Sequence, residues 1–209
     1  MPDASSADAA TRNDLRPGDL LFQDIDGGPL CDAIRAVTRG WNGRSFVHVG
    51  IVSRAKPGDC ALIEAYDEGV VETPLDVFMA RCALWDDRPA AAVGRLVPAL
   101  CPLIPAALAY ARAQIGRPYN NAFTLNDRGA YCAQLVYEAF TAANGGVPVF
   151  ETAPMTFNDP ATGRPHPAWR EHFASRGLPI PEGRPGVNAA DISRSPVIRM
   201  RAWRHASAR

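Results

Sequence analysis

Residues 46–66 contain two apolar runs on either side of a strong turn signal, and this pattern constrains the fold more than any other in the chain. The runs cover 46–53 and 61–66, and the segment 55–59 between them includes the pair Pro57-Gly58. Short apolar runs that flank a Pro-Gly turn are typical of a β-hairpin. An antiparallel strand pair is therefore predicted here, and we place its turn around Lys56.

Strand-like segments dominate the first half of the chain, and the clearest helical patterns, over 105–115 and 131–143, come later. Strands and helices do not alternate as in βαβ units, so the sequence predicts an α+β fold with an antiparallel sheet packed against helices. A chain of 209 residues can bury one core but not comfortably two. We therefore predict a single domain over 15–205.

Two regions fall outside this pattern. Residues 1–14 are mostly small and polar, and we predict a disordered tail. Residues 147–187 are rich in Pro and Gly and too long for a simple loop. We predict that this second region is an extension of the domain, either a functional flap or an ordered wrap.

Composition excludes several classes of function. The formal net charge is zero, so no global basic field favours nucleic acid or an anionic membrane. No apolar run reaches the roughly 18 residues of an integral membrane segment, and the N-terminus has no signal-peptide core. We expect a cytoplasmic protein as synthesised, with export by a signal-independent secretion system left open. Five cysteines without a C-x-x-C motif argue against disulfides and zinc, and we predict neither metal nor cofactor.

Cys132 opens the helical pattern over 131–143 and lies on its apolar face with Leu135, Val136 and Ala139. A thiol in the first turn of a helix is exposed to the positive end of the helix dipole, which favours the thiolate. The free backbone N–H groups of that turn can also face a developing oxyanion. The alternative is a buried cysteine that only packs in the core.

His48 lies in the first strand of the predicted hairpin, on the same face as Gly50. The glycine leaves room beside the imidazole for a close approach. A lone strand histidine is often structural, so this position alone does not identify a catalyst.

Glu64 interrupts the apolar second strand. A turn around Lys56 places Glu64 directly opposite His48, where a carboxylate can orient the imidazole. Alternatively, Glu64 is a solvated glutamate of an edge strand. Three neighbouring acids compete with it for the role: Asp67, Glu68 and Glu72. Together, the thiol, the imidazole and the carboxylate form a plausible Cys–His–Glu nucleophilic site.

Four short motifs occur in a fixed order: 17–23 (PGDLLFQ), 48–52 (HVGIV), 116–119 (GRPY) and 131–136 (YCAQLV). This order resembles the circularly permuted branch of the NlpC-type papain-like cysteine hydrolases. That branch contains the YiiX/YebB-like proteins and is related to the lecithin:retinol acyltransferase-like proteins. In it the histidine precedes the cysteine, as it does here. The family often has Ser after the cysteine, where this chain has Ala133.

The resemblance implies a papain-like fold with the nucleophile at a helix N-terminus. It assigns Cys132 as nucleophile, His48 as base and Glu64 as the third residue of the site. We further assign three motif residues to substrate binding: Gln23, Tyr119 and Tyr131.

The function implied is that of a cysteine amidase or peptidase that acts through a thioester, most naturally on peptidoglycan-type peptides. A secreted antibacterial effector with a cognate inhibitor protein is one setting for such an activity. The same three residues also suit an acyltransferase or phospholipase that acts on lipid esters. A third hypothesis is a catalytically inactive binding module.

Overall fold

The computed structural model describes residues 9–67, 69–125 and 127–204. The helices in these ranges are α1 (Pro29–Val37), α2 (Leu75–Met79), α3 (Ile104–Ala113), α4 (Cys132–Ala143), α5 (Pro167–Ala174) and α6 (Ala189–Ser193). Short 3-10 turns cover Arg12–Asp14, Trp41–Gly43 and Pro98–Leu103. Within the same ranges, no helix has the length and apolar character that crossing a bilayer requires.

The strands are β1 (Leu20–Gln23), β2 (His48–Lys56), β3 (Asp59–Tyr66), β4 (Gly69–Pro74), β5 (Leu84–Trp85), β6 (Arg88–Pro89), β7 (Ala91–Leu96), β8 (Ala153–Pro154), β9 (Asn158–Asp159), β10 (Arg164–Pro165), β11 (Pro185–Gly186) and β12 (Ile198–Ala202). Six of them form one sheet in the order β12-β7-β1-β2-β3-β4. Every strand pair in this sheet is antiparallel, which confirms the α+β prediction.

The β2–β3 hairpin is present, but its register differs from the predicted one. Lys56 pairs with Asp59, so the turn is formed by Pro57 and Gly58, and Gly58 has a positive φ of 77°. A bulge between Val52 and Arg54 then shifts the pairing to Ile51 opposite Ile63. Because this register continues along the strands, Gly50 lies opposite Glu64. The prediction that His48 lies directly opposite Glu64 is therefore wrong by two residues.

The sheet has an apolar layer on each face. On one face, Val49, Ile51 and Ile63 belong to a large core that also contains Leu135 and Phe140 of α4. On the other face, a smaller core is formed by Leu21, Val52, Leu62, Leu75 and Phe78. The helix that begins at Cys132 and the short helix α2 therefore pack on opposite sides of the hairpin.

The first described residues, which belong to the predicted disordered tail over 1–14, contact the end of the described chain. Ala10 is buried and forms a parallel bridge with Trp203. Its backbone N–H donates to Ala202, and its carbonyl accepts from Arg204. These contacts tie residues 9–14 to the C-terminal strand, and the rest of the predicted tail, residues 1–8, lies outside the described residues.

The Pro- and Gly-rich region over 147–187 is an ordered wrap that contributes aromatic side chains to the large core. The rings of Phe157 and Trp169 meet edge to face with centroids 4.9 Å apart. Phe123 contacts Trp169 at 5.2 Å and Tyr131 at 5.4 Å. The wrap is therefore packed against the segment that precedes α4.

Candidate active site

His48 and Glu64 form a buried pair on adjacent strands. Nε2 of His48 lies 2.5 Å from Oε2 of Glu64, and the glutamate side chain is fully buried. The two residues are diagonal neighbours, and the long glutamate side chain spans the offset. A β-carbon placed on Gly50 would lie 3.4 Å from Cβ of Glu64. The carbonyl oxygen of Ile63 and Cδ2 of Leu62 would lie at the same distance, so Gly50 is closely surrounded by β3.

Arg81, which follows α2, is a third member of this pair that the sequence did not reveal. Its Nη2 donates to Oε1 and Oε2 of Glu64 at 2.6 and 2.8 Å. The guanidinium lies 3.9 Å from the centroid of the Tyr66 ring and 5.1 Å from that of Phe78. The same two rings contact the imidazole of His48 at 5.5 and 5.6 Å. Tyr66 and Phe78 thus hold both cationic partners of Glu64 in place.

Charges in this cluster stabilise one another. Burial by itself raises the pKa of Glu64, but the hydrogen bond and charge of His48, together with the charge of Arg81, lower it to about 2. Burial likewise lowers the pKa of His48, but hydrogen bonds that its ring donates to Cys132 and Glu64, and the charges of these two groups, outweigh it and raise the pKa to about 9. At neutral pH both shifts favour a carboxylate and an imidazolium.

Cys132 is the first residue of α4 and is 8% exposed. Its Sγ lies 4.0 Å from the carbonyl oxygen of Val47, the residue before His48. A hydrogen bond from the imidazole to the sulfur of Cys132 contributes to the raised pKa of His48. The structure therefore brings together the cysteine, the histidine and the glutamate that the sequence singled out.

The start of α4 is fixed by Gln134 in its first turn. The Oε1 of this residue accepts hydrogen bonds from the Tyr131 backbone N–H at 3.3 Å and from Asn120 Nδ2 at 2.8 Å. Its Nε2 donates to Oε1 of Glu138 at 2.7 Å. Because these bonds are buried or half-buried, they hold the first turn, and with it Cys132, in one orientation.

Cys132 opens into a cleft of about 350 Å³ whose wall is largely apolar. Side chains from α1, from the loop before β2 and from the wrap line it, among them Ile34, Val37, Phe46, Met155 and Phe157. The polar and charged lining side chains include Arg39, Asn188, Asp191 and Arg194. The cleft therefore offers apolar contact area beside the thiol.

The three predicted substrate-binding residues are placed differently. Tyr119 and Tyr131 line the cleft. Gln23 is fully buried and pairs with His48 across β1 and β2. The Oε1 of Gln23 accepts from the Cys82 thiol at 3.5 Å, and its Nε2 has no partner among the described residues. It thus lies beside His48 and is absent from the cleft lining.

The acids that competed with Glu64 are located elsewhere. Glu72 accepts from Ser53 Oγ at 2.6 Å and from Arg54 Nη1 at 2.5 Å. Asp67 lies in the turn after β3, and Glu68 lies outside the described residues. Across the ranges that the structure describes, no group of three or more His, Cys, Asp or Glu side chains could hold a metal ion. The histidine is therefore paired with Glu64 and not with Glu72.

Comparison with known proteins gives one family. The family described as permuted papain-like amidase enzyme, YaeF/YiiX, C92 family, matches residues 14–200. Among solved structures, the crystal structure of the metalloprotein YiiX from Escherichia coli O157:H7 is similar, with a TM-score of 0.69 and 20% sequence identity. The match covers 91% of this chain and 98% of that one. No curated protein sequence matches. The family match spans most of the chain, and the chain belongs to the permuted papain-like amidases.

Proposed function

We propose that this protein is a cysteine amidase in which Cys132 is the nucleophile, His48 the base and Glu64 the residue that orients the base. The observation that carries the proposal is the continuous set of contacts from Cys132 through His48 and Glu64 to Arg81. Because Nε2 of His48 is bound to Glu64, Nδ1 is the ring nitrogen left for the thiol. Arg81 acts as a positioning residue through Glu64.

The reaction proceeds in two halves. His48 holds the proton of Cys132 as an imidazolium, and the thiolate attacks the carbonyl carbon of the substrate amide. Backbone N–H groups of the first turn of α4 stabilise the oxyanion. His48 then gives its proton to the amide nitrogen as the C–N bond breaks, which leaves a thioester on Cys132. Water, deprotonated by His48, hydrolyses the thioester and releases the acid and the free thiol.

For the substrate, the first candidate is a peptide amide of peptidoglycan type. The resemblance of the sequence motifs to NlpC-type hydrolases supports this class, and the amidase family supports amide cleavage in general. In this proposal the polar side chains at the cleft, Asn188, Asp191, Arg194 and Arg39, contact the charged groups of the peptide. Delivery into another cell as an effector would bring such an enzyme to its peptidoglycan substrate.

A second candidate is an amide or ester whose acyl group is a hydrocarbon chain. The apolar wall of the cleft favours it. Contact between a hydrocarbon chain and side chains such as Val37, Met155 and Phe157 removes apolar surface from water, which is favourable. The same Cys–His–Glu site would transfer or hydrolyse the acyl group.

Product analysis by mass spectrometry separates these candidates. Purified peptidoglycan fragments, N-acyl amides of medium chain length and phospholipid vesicles are each incubated with the wild-type protein. The Cys132→Ser variant is expected to lose turnover, and Cys101→Ser, which changes a cysteine on the Pro98–Leu103 turn, is expected to retain it. Turnover that persists in Cys132→Ser would contradict the proposed nucleophile. Cleavage of phospholipid but of no amide would contradict the amidase proposal.

A further inference from the structure

A second cavity, of about 160 Å³, shares no lining residue with the active-site cleft. Its wall comes from the turn Trp41–Gly43, the β5–β6 hairpin and the end of β12. We call it the Trp–Arg cavity after the side chains that define it: Trp41, Trp85, Trp203, Arg44, Arg88 and Arg204. Nothing in the proposed hydrolysis uses it.

The cavity is unusually aromatic, since it holds three of the four tryptophans of the chain. Trp41 and Trp85 are half-buried, so part of each ring faces the cavity or solvent. Trp203 is 5% exposed, and its buried indole N–H has no hydrogen-bond partner among the described residues. A buried donor without a partner costs free energy.

The cavity is also strongly positive, although the whole chain has a formal net charge of zero. Four arginines line it, and Asp86 is the one acidic residue of the lining. The guanidinium of Arg44 lies 4.6 Å from the centroid of the Trp85 ring. Over the described residues, none of the ion pairs involves Arg44, Arg88 or Arg204. Arg201, the fourth arginine, already donates a hydrogen bond to the carbonyl of Ala9, and we assign it no role in ligand binding.

The position of these groups is set by secondary structure. Trp85 and Arg88 are directly paired across the two-stranded β5–β6 hairpin, so their side chains lie on the same face. Trp203 follows β12 and is held by a backbone hydrogen bond to Ala91. Rings and guanidinium groups thus surround one space, which suits a ligand that has both a planar ring and a negative charge.

We propose that the Trp–Arg cavity binds a nucleoside monophosphate or a close analogue, with its phosphate on Arg44, Arg88 and Arg204 and its base against a tryptophan ring. A phosphate is favoured over a carboxylate because three guanidinium groups match its three terminal oxygens. Stacking of a base on a tryptophan ring adds affinity but discriminates little between different bases.

The test is a calorimetric titration of the full-length protein with adenosine 5′-monophosphate, and with adenosine, inorganic phosphate and benzoate as separate probes. We expect the monophosphate to bind at least tenfold more tightly than each of the other probes. Binding is expected to weaken as salt is added, since the contacts are ionic. If the monophosphate does not bind at millimolar concentration, or binds no better than benzoate, the proposal is overturned.

Variants locate the site. Arg44→Gln and Arg88→Gln are each expected to weaken monophosphate binding about tenfold. Arg170→Gln, on the exposed side of α5, is the matched control and is expected to bind as the wild type does. Equal weakening by the control, or no weakening by the cavity variants, overturns the proposal. The rate of Cys132 alkylation in each variant reports whether the fold is intact.

One alternative occupant is the chain itself, because Asp3 and Asp8 precede Ala9 in the sequence and Ala9 lines the cavity. The Asp3→Asn, Asp8→Asn double variant addresses it. Unchanged monophosphate affinity supports a ligand site, whereas binding that occurs only in the double variant would identify the N-terminal segment as the occupant and overturn the proposal.

Discussion

Arg81 donates two hydrogen bonds from Nη2 to the buried carboxylate of Glu64, at 2.6 and 2.8 Å. The same carboxylate binds His48, so one arginine outside the predicted triad helps to keep Glu64 ionised and in place. Its guanidinium is held by the rings of Tyr66 and Phe78. This relationship leads to the first prediction.

Replacing Arg81 by Met is expected to lower kcat/KM about 10- to 100-fold with little change in KM, as loss of an orienting partner does. Since the charge of Arg81 lowers the pKa of Glu64, its removal raises that pKa and moves the acid limb of the pH–rate profile to higher pH. Arg81→Lys should restore part of the rate. Arg54→Met, which breaks the ion pairs of Arg54 with Asp59 and Glu72, is the control. An unshifted acid limb in Arg81→Met would show that the arginine is only structural.

Stability should depend on pH through the same pair. The pKa of His48 is raised from 6.5 to about 9, so its contribution to the free energy of unfolding is complete below pH 6.5 and lost as pH rises towards 9. The pKa of Glu64 is lowered from 4.5 to about 2, so its contribution is complete above pH 4.5 and lost as pH falls towards 2.

Together these shifts predict that the pair stabilises the fold most between pH 4.5 and 6.5. Urea unfolding at pH 5.5, 7.5 and 9 measures the alkaline side of this window. The His48→Gln variant, which cannot titrate, should lack the decline between pH 6.5 and 9 that the wild type shows. A wild-type protein whose stability rises over that interval would contradict the prediction.

The five free cysteines should differ in reactivity. We expect iodoacetamide to label Cys132 first, because the imidazole beside it can take the thiol proton. Cys82 should react slowly at neutral pH, since burial raises its pKa to about 12. His48→Ala should slow the labelling of Cys132 and leave Cys60 unaffected. Peptide mapping after timed quenching gives the rates, and equal rates for Cys132 and Cys60 would favour the inactive binding module.

The aromatic side chains of the wrap should contribute to stability. Trp169 is almost fully buried and packs against Phe157 and Phe123. Trp169→Ala is expected to lower the free energy of unfolding by about 3–5 kcal/mol. Val147→Ala, at a side chain that is 62% exposed in the same region, should change it by less than about 0.5 kcal/mol. If both variants change the free energy of unfolding by similarly small amounts, the wrap is a peripheral flap that contributes little to stability.

A charge in the apolar wall should affect the two candidate substrate classes differently. Val37→Glu places a carboxylate in the cleft, and burying it beside a hydrocarbon chain is costly. We expect turnover of N-acyl amides to fall at least tenfold while alkylation of Cys132 is unchanged. Val147→Glu, outside the cleft, is the control. If Val37→Glu leaves acyl amide turnover intact, the acyl group does not occupy this wall.

The sequence was sufficient to single out Cys132 and His48, because Cys132 starts a strongly periodic helix and His48 lies on an alternating strand. It was not sufficient for the hairpin register. The turn at Pro57 and Gly58, and not around Lys56, moves the pairing by three residues, and the bulge between Val52 and Arg54 moves it back by one. The long glutamate side chain nevertheless reaches the imidazole, so the predicted pairing of His48 with Glu64 is found in spite of the wrong register.

Arg81 could not be predicted, because it reaches Glu64 across 17 residues from the end of a short helix and belongs to no motif. The core residues of the wrap could not be predicted for a different reason. Its buried aromatic residues, such as Phe157, Trp169 and Phe173, are spaced irregularly between Pro and Gly, so no helical or strand period marks them as core.

The cleft wall has a consequence for synthesis of the protein. Val187 and Ala189 line the cleft, and β12, which follows them, pairs with β7. A growing chain therefore contains His48, Glu64 and Cys132 long before it contains the residues that complete the wall beside the thiol. The cleft wall is complete only after residues 187 and 189 have been synthesised, and chains that stall on the ribosome before them carry the Cys132 thiol beside an unfinished wall.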